Sequence, residues 1–310
     1  MEFNISVIIP VYNLGNFISK AIDSVLSQKY VNEIIIVDDG STDNTQFIVQ
    51  NYAEQNPDKI QVITHPDRQN RGLGASRNAG IRAARSEFIA FLDGDDYYLP
   101  NRFETTNEVF STNPDADGVY EVLGTEFRDE AGKYKFSRVV GEGDKISNDY
   151  VTKVDGNFAP EELFNVLARK NNGCFSTDTL TLKKSIFKKA GYFKENLRLH
   201  GDNEAFLRLA FYGRLVSSGN EEPVAIRVVH ERNRMTTQRD TFKRHLFNKE
   251  VFKSFHNKNI PADIKKMFFK NYLFGHRLRV KSNVVLKYTT TGFLLLYLIL
   301  RYPSIISYDG

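Results

Sequence analysis

Three aspartates fall within four residues at Asp93-Gly94-Asp95-Asp96. Carboxylates this close repel one another, and each is costly to desolvate alone. A divalent cation relieves both problems. Mg²⁺ and Mn²⁺ take one or two carboxylates beside phosphate oxygens and water. Gly94 lets the backbone turn between the first two acids. The tetrapeptide therefore reads as a metal–diphosphate clamp or as a solvated Asp/Gly turn, and alone it does not choose. An EF-hand does not fit, because no glycine stands sixth from Asp93. A second acidic cluster, Asp38-Asp39-Gly40-Ser41-Thr42-Asp43, combines turn formers with helix-capping residues.

The elements around these clusters set where they can act. Ile5 to Pro10 is an apolar run stopped by proline, the pattern of a buried strand. Residues 16–28 carry Phe17, Ile18, Ala21, Ile22, Val25 and Leu26 at helical spacing. Glu33 to Val37 is a second buried strand that runs into the Asp38–Asp43 cluster, and a helix follows to about Gln55. Ile60 to Thr64 is a third strand, 72–84 a loop entering a helix, and Phe88 to Leu92 a fourth strand ending at Asp93. Alternating strands and helices predict an α/β fold with a Rossmann-like, mainly parallel central sheet flanked by helices. Ligands of such sheets sit outside the carboxyl ends of the strands. The polar loops 10–16, 38–43 and 93–96 all follow strands, so the site belongs there.

Several function classes are excluded. The dinucleotide fingerprint belongs after the first strand, where the chain has Pro10-Val11-Tyr12-Asn13. The nearest match, Gly72-Leu73-Gly74, has Arg77 at its third glycine position, and no Gly-Lys-Ser/Thr marks a P-loop. Hydrophobic residues at 41% and charged residues at 26% exclude a wholly disordered chain. The single cysteine, Cys174, excludes an internal disulfide framework and a Cys-based zinc cluster and fits a reducing compartment. Met1 to Asn4 lead straight into a strand, so no secretory signal is expected. The net charge of +4 hides an asymmetry. Residues 241–310 hold 13 Lys/Arg against 3 Asp/Glu, a balance of +10, while the rest balances at −6. Such a tail suits nucleic acid or an anionic membrane surface.

Four blocks carry a resemblance. Ser6-Val7-Ile8-Ile9-Pro10-Val11-Tyr12-Asn13, Asp38 to Asp43, Gly74-Ala75-Ser76-Arg77-Asn78-Ala79-Gly80 and Asp93-Gly94-Asp95-Asp96 resemble, in order and spacing, the family 2 glycosyltransferases of the GT-A fold. The resemblance covers residues 4–115 strongly, thins from 116 to 230 and is weakest beyond 240. It implies that Pro10, Val11 and Tyr12 form the lip of a nucleobase pocket and that Asp39 accepts a hydrogen bond from the base. Arg77 would lie near the diphosphate or ribose, with Asp93 and Gly94 at the nucleotide sugar. Asp95 would be the direct metal ligand, with Asp93 a further one. Asp43 suits a helix cap, Asp38 is a second candidate for that role, and Asn78 and Gly80 suit packing.

In the second half, Gly118 to Leu123 and Tyr134 to Val140 are β-prone stretches that predict a mixed sheet. Pro160 to Arg169 is a short helix. Residues 200–209 form another, with Asp202, Phe206 and Leu209 on one face. Asp202 at its N-terminus reads as a helix cap from the residues alone. The resemblance makes it the catalytic base, with Glu204 as the alternative on a different face. Many family members have Glu-Asp here, whereas this chain has Gly201-Asp202. Val224 to His230 is a strand ending in a histidine that, by resemblance, completes the metal or diphosphate site, with Arg232 and Arg234 near phosphate. His65 and His200 read as structural.

The tail mixes Phe242, Leu246, Phe247, Val251, Phe252, Phe255, Met267, Phe268, Phe269, Tyr272, Leu273 and Phe274 with lysine and arginine. These are basic amphipathic helices, either interfacial at a membrane or packed on the catalytic domain. The apolar run Phe293 to Leu300 falls far short of the about 20 residues of a spanning helix. The expected organisation is 1–115 for the nucleotide sugar, 116–235 for the acceptor, and 236–310 as a helical C-terminal extension. The resemblance implies an inverting enzyme that moves a sugar from a nucleotide sugar, a UDP-sugar, with Mn²⁺ or Mg²⁺. The acceptor would be a glycan or polyprenyl-linked hydroxyl in surface polysaccharide synthesis. The setting would be cytoplasmic, peripheral at the membrane face, with no nucleic acid expected. The alternatives are nucleotidyl transfer, whose Gly-rich basic first loop is missing, and a non-enzymatic nucleotide- or membrane-binding protein.

Overall fold

The computed structural model describes residues 3–142, 146–233 and 241–279, and four single positions beyond them, 292, 295, 296 and 298. Strands β1 (Ile5–Val11), β2 (Val31–Asp38), β3 (Ile60–Thr64) and β4 (Phe88–Phe91) alternate with helices α1 (Ile18–Leu26), α2 (Thr45–Gln55) and α3 (Leu73–Ala83). After β5 (Tyr97–Tyr98) come α4 (Glu104–Thr112), β6 (Gly118–Tyr120), β7 (Val122–Phe127), α5 (Glu130–Val140) and α6 (Pro160–Arg169). They are followed by β8 (Leu180–Lys183), α7 (Ile186–Ala190), α8 (Gly201–Tyr212), β9 (Leu215–Ser217) and β10 (Pro223–Val229). Helices α9 (Thr241–Phe255) and α10 (Ala262–Arg279) complete the described chain.

The central sheet has the order β3-β2-β1-β4-β8-β6-β9. Strands β1 to β4 are parallel, and β8 runs antiparallel between β4 and β6. Along β1, Val7, Ile9 and Val11 face a core shared with α1 and α2, while Ile8 faces the opposite core built on α3, α6, α7 and α8. Helices on both faces explain why β1 and β2 read as unbroken apolar runs. The order reverses between β1 and β4, which opens a crevice at their carboxyl ends. A smaller sheet, β5-β10-β7, brings the end of β10 towards that crevice.

Tyr134 to Val140, expected as strand, lies in α5. Asp129 begins this helix by accepting from the Gly132 amide at 2.5 Å, and Gly141 ends it in the left-handed conformation at φ 87°. Phe136 packs against Ile146 and Val229, so tertiary burial and two caps override the β-prone composition. Gly118 to Leu123 is divided between two strands of different sheets.

The tail helices also depart from a purely interfacial reading. Phe247, Val251, Phe255, Ile260, Ile264 and Phe268 join the core beneath α6 and α8, and Phe252 packs with Tyr272 and Leu298. These rings are in the protein interior, unavailable to lipid. The run 293–300 lies largely outside the described residues. Within it Leu296 is 54% exposed and Leu298 is buried. No described helix is long and apolar enough to cross a membrane.

Candidate active site

The crevice is assembled from loops that lock onto one another. Asn13 adopts φ 56° after β1 and its side-chain oxygen accepts from the Thr42 amide at 2.7 Å. Its own amide donates to Ser41 Oγ at 3.0 Å. Asp43 accepts from the Thr45 amide at 2.9 Å and the Gly15 amide at 3.2 Å, so it caps the start of α2 as expected. Burial works against its charge, but those hydrogen bonds prevail and hold its carboxyl below the ordinary range. Asp38 accepts from the Ser41 amide at 3.0 Å. Val11 is buried at the crevice rim and Tyr12 is 43% exposed.

Asp39 is buried at the end of β2 and accepts from the Arg71 and Gly72 amides at 2.7 and 2.8 Å. His65 Nε2 lies 3.3 Å from Asp39 and 3.2 Å from Ser76 Oγ, so His65 is structural as expected. A carboxylate has about four acceptor sites, so Asp39 pins the 65–72 segment and keeps capacity for another donor.

At Gly94 the acidic turn meets β1. An added Cβ would lie 2.9 Å from Val11 and 3.3 Å from the Pro10 carbonyl oxygen, so only glycine fits without displacement. Asp95 points outward, with Oδ2 3.4 Å from His230 Nε2 and accepting from Asn233 Nδ2 at 3.0 Å. The imidazole stacks on Phe17 with centroids 4.4 Å apart. Asp96 points inward, accepting from the Val228 amide at 2.8 Å. Asp93 donates its amide to Asp178 Oδ1 at 2.9 Å, and Asp178 also accepts from Ser176 Oγ at 3.0 Å. Burial, then the neighbouring carboxylates, push Asp96 well above its ordinary range and Asp178 up to about 6.

Oxygens of Asp93, Asp96 and Asp178 lie within 4.8 Å of one another, a grouping that could hold a cation. Asp95 offers a carboxylate oxygen on the cleft side, and His230 offers Nε2 in the tautomer that carries its proton on Nδ1, which gives up acceptance from the Arg232 amide. Both sets suit Mg²⁺ or Mn²⁺ chemically, so the residues present fit the divalent cation that the sequence implied.

Arg77 joins this turn to the other wall. Its guanidinium, wholly buried, donates to Asp93 at 2.8 Å, to Thr177 Oγ1 at 2.9 Å and to Asp202. Burial opposes its charge, but Asp202, Asp93 and Asp178 outweigh it and raise its pKa. Arg77 thus stands behind two carboxylates and orients both. Asp202 makes no capping hydrogen bond among the described residues. One oxygen is held by Arg77, and the side chain is 41% exposed towards the cleft. Phe206 and Leu209 lie buried beneath it on α8. Glu204 does not fit the alternative role of base. It is fully buried, is forked to Arg208 at 2.7 to 3.0 Å, and accepts from Ser254 Oγ at 3.0 Å.

Asn78 bridges the Phe193 backbone and Glu195, and Gly80 lies against Ile8, so both pack as expected. Arg232 donates its amide to His230 Nδ1 at 3.2 Å. Arg234 lies outside the described residues. Asp178, Asn233 and Phe17 were missed from sequence. Asp178 left one signal, an acid inside the otherwise uncharged stretch 174–182. Asn233 and Phe17 left none, since their contacts cross the fold.

Comparison with known proteins agrees with this geometry. The model of glycosyl transferase family 2 matches residues 6–189, more than half of the chain, and the chain belongs to that family. It is similar to an uncharacterized glycosyltransferase of Nostoc sp., 37% identical over 188 residues, which are 60% of this chain and 52% of the relative. It is also similar to one of Rickettsia typhi, 32% identical over 209 residues, 66% of this chain and 58% of the relative. The chain thus spans little more than half the length of these relatives. Among solved structures it resembles S. aureus TarS in complex with UDP-GlcNAc, with TM-score 0.66, 19% identity, and coverage of 93% of this chain and 79% of that one. It also resembles a mannosyltransferase of Pyrobaculum calidifontis in complex with GDP-Man and Mn²⁺, with TM-score 0.55, 15% identity, and coverage of 96% and 80%. The architecture is the GT-A fold.

Proposed function

We propose that the protein is an inverting glycosyltransferase that moves a sugar from a UDP-sugar to a hydroxyl of a glycan or polyprenyl-linked acceptor in surface polysaccharide synthesis. The observation that carries the reading is the Arg77 bridge. One buried guanidinium fixes Asp93, at the acidic turn, and Asp202, at the start of α8, so donor and acceptor chemistry face one cleft. Asp39, with Pro10, Val11 and Tyr12, receives the base, and Asp93 and Gly94 receive the ribose and sugar. Asp95 and His230 hold Mn²⁺ or Mg²⁺, with Asp93 available as a further ligand. When bound, the cation offsets charge on the departing diphosphate. Asp202 takes the proton from the acceptor hydroxyl as that oxygen attacks the anomeric carbon. Positioned base catalysis of this kind contributes about 10²–10⁴-fold.

On this reading residues 1–115 bind the donor, 116–235 the acceptor, and 236–310 support the acceptor side. The +10 balance of the tail favours peripheral contact with an anionic membrane at the cytoplasmic face. The similarity to proteins that bind UDP-GlcNAc, or GDP-Man and Mn²⁺, supports a nucleotide-sugar donor. The test is a panel of nucleotide sugars with Mn²⁺ or Mg²⁺, scored for slow donor hydrolysis and for the anomeric configuration of the transfer product. Metal-dependent release of UDP with inversion is expected. A retained configuration, or no turnover of any donor, defeats the proposal.

A further inference from the structure

Two cationic residues and a histidine from separate parts of the chain meet beside Asp202. Lys170 follows the last turn of α6, His200 precedes α8, and Arg244 lies in the first turn of α9. Phe247 ties them together. Lys170 Nζ lies 5.4 Å from its ring centre, the His200 ring lies 5.5 Å from it, and Arg244 is one helical turn before it. All three are open to solvent, and none has a carboxylate at ion-pair distance among the described residues.

This arrangement is costly to the free protein in two ways. Burial first, then the charge of Arg244, pulls Lys170 down. Burial, then Lys170 and Arg244, pulls His200 down against the opposing charge of Asp202. The backbone adds a second cost. Lys170 and His200 sit at φ 57° and 61°, two of the four non-glycine residues in the left-handed region among those described. Glycine or asparagine is cheaper there, and such strain gathers at binding sites. Two like charges, Lys170 and Arg244, stand around one ring with His200, none of them ion-paired among the described residues, and two of the three sit in left-handed backbone, an arrangement an anionic ligand would relieve.

We infer that Lys170, His200 and Arg244 form an anion-binding subsite on the acceptor side, taking a phosphate or carboxylate that the acceptor carries near its reacting hydroxyl. Asp202 lies two residues after His200 with one oxygen open to the cleft, so an anion held here places a neighbouring hydroxyl at the proposed base. Burial raises the Cys174 thiol, and Arg227 and Lys170 oppose that rise, so the thiol lies within the electrostatic reach of Lys170. The assignment of acceptor to this ligand rests on the proposed transfer reaction, whereas the anion site itself does not.

The test is calorimetry on the full chain without donor or cation, using glucose 1-phosphate, glucuronate and methyl glucoside as probes. At least one charged probe should bind about tenfold more tightly than the neutral one, and Lys170→Asn with Arg244→Gln should remove that preference. Binding of glucose 1-phosphate alone assigns phosphate, and binding of both charged probes assigns any anion. Equal binding of all three probes overturns the inference. So does a preference that survives the double substitution, or displacement of glucose 1-phosphate by UDP. The thermal midpoint and Mn²⁺–UDP affinity of the double variant verify its fold. Independently of any variant, exposed Cys174 is the chain's single thiol. Its alkylation should be slowed by glucose 1-phosphate and not by methyl glucoside, and equal rates overturn the site. If charged probes bind while no nucleotide sugar turns over, the subsite stands and the proposed reaction falls.

Discussion

The two sides of the acidic turn use the same residue type for opposite purposes. On the inner side, Asp96 and Asp178 are 5% and 1% exposed, and three of their four oxygens accept from the Val228 and Asp93 amides and from Ser176 Oγ. On the outer side, Asp95 faces the cleft beside His230 and Asn233. The inner acids hold backbone, tying the turn to β10 and to the segment before β8. The outer acid has Oδ2 against Asn233 and His230 but stays 21% exposed, on the side where a cation and phosphate can arrive. Proximity of carboxylates alone therefore does not identify a metal site. Residual acceptor capacity and an approach path separate the two sides.

The largest effect on this contrast is expected from removing the group behind both walls. Arg77→Ala leaves Asp93, Asp178 and Asp202 without their shared countercharge. Breaking a buried ion pair costs 3–5 kcal/mol in general, and about 3 kcal/mol is expected here because Asp93 and Asp202 stay partly in water. Urea unfolding measures it, and transfer should be lost together with stability. Full stability in the variant would mean that the carboxylates are held by something else.

Next in size is Asp202→Asn. Asparagine keeps an oxygen for Arg77 but cannot accept a proton near neutral pH. Turnover should fall about 10²-fold or more, with UDP–metal affinity nearly unchanged because the donor contacts lie on the other wall. Steady-state transfer beside UDP titration on one preparation checks this. Near-normal turnover would remove the base from Asp202, and Glu204 could not replace it, being locked to Arg208.

Asp95→Ala acts on the outer side alone. Losing one of few cation ligands should weaken Mn²⁺-dependent UDP binding by about 100-fold, while the thermal midpoint moves little. Unchanged calorimetric affinity would transfer the cation to the inner set.

Much of the donor side was legible because its signals are local. The apolar runs of β1 and β2, the turn chemistry of 38–43 and the glycine of the acidic turn each act within a few residues. What stayed hidden depends on contacts across the fold. Nothing near Arg77 in sequence shows that its guanidinium reaches Asp202, 125 positions away. Helical spacing puts Asp202 and Glu204 on different faces, but the placement of Arg208 and Ser254, which bury and lock Glu204, is what removes it as an alternative. Helix α5 was misread because its β-prone residues, Tyr134 to Val140, are held helical by a cap at Asp129 and by Phe136 packing on β10. The tail aromatics suited lipid or core equally well, and the choice came from the apolar faces of α6 and α8 that needed covering.

The smallest effect is expected from Asp96→Asn, and it tests the contrast most sharply. The amide oxygen can still accept from the Val228 amide, so the turn keeps its anchor. Mn²⁺-dependent UDP binding should persist, because the outer Asp95 and His230 are untouched. If the cation instead rests on Asp93, Asp96 and Asp178, the loss of a ligand charge would weaken that binding as severely as Asp95→Ala. Stability supplies a second readout. Burial, followed by Asp95, Asp178 and Asp93, raises the Asp96 pKa above its ordinary 3.8, so the metal-free folded state holds this proton more tightly than the unfolded chain does. The resulting stabilisation is full below the unfolded value and is lost as pH rises through the folded one. Asparagine has no proton to lose there, so the variant should lose less stability than the native chain between about pH 4 and about pH 7. Urea midpoints of both proteins at the two pH values, with a chelator present, measure the difference. Parallel profiles would mean that Asp96 is ionised in the fold, and with it that the inner side carries free charge as the outer side does.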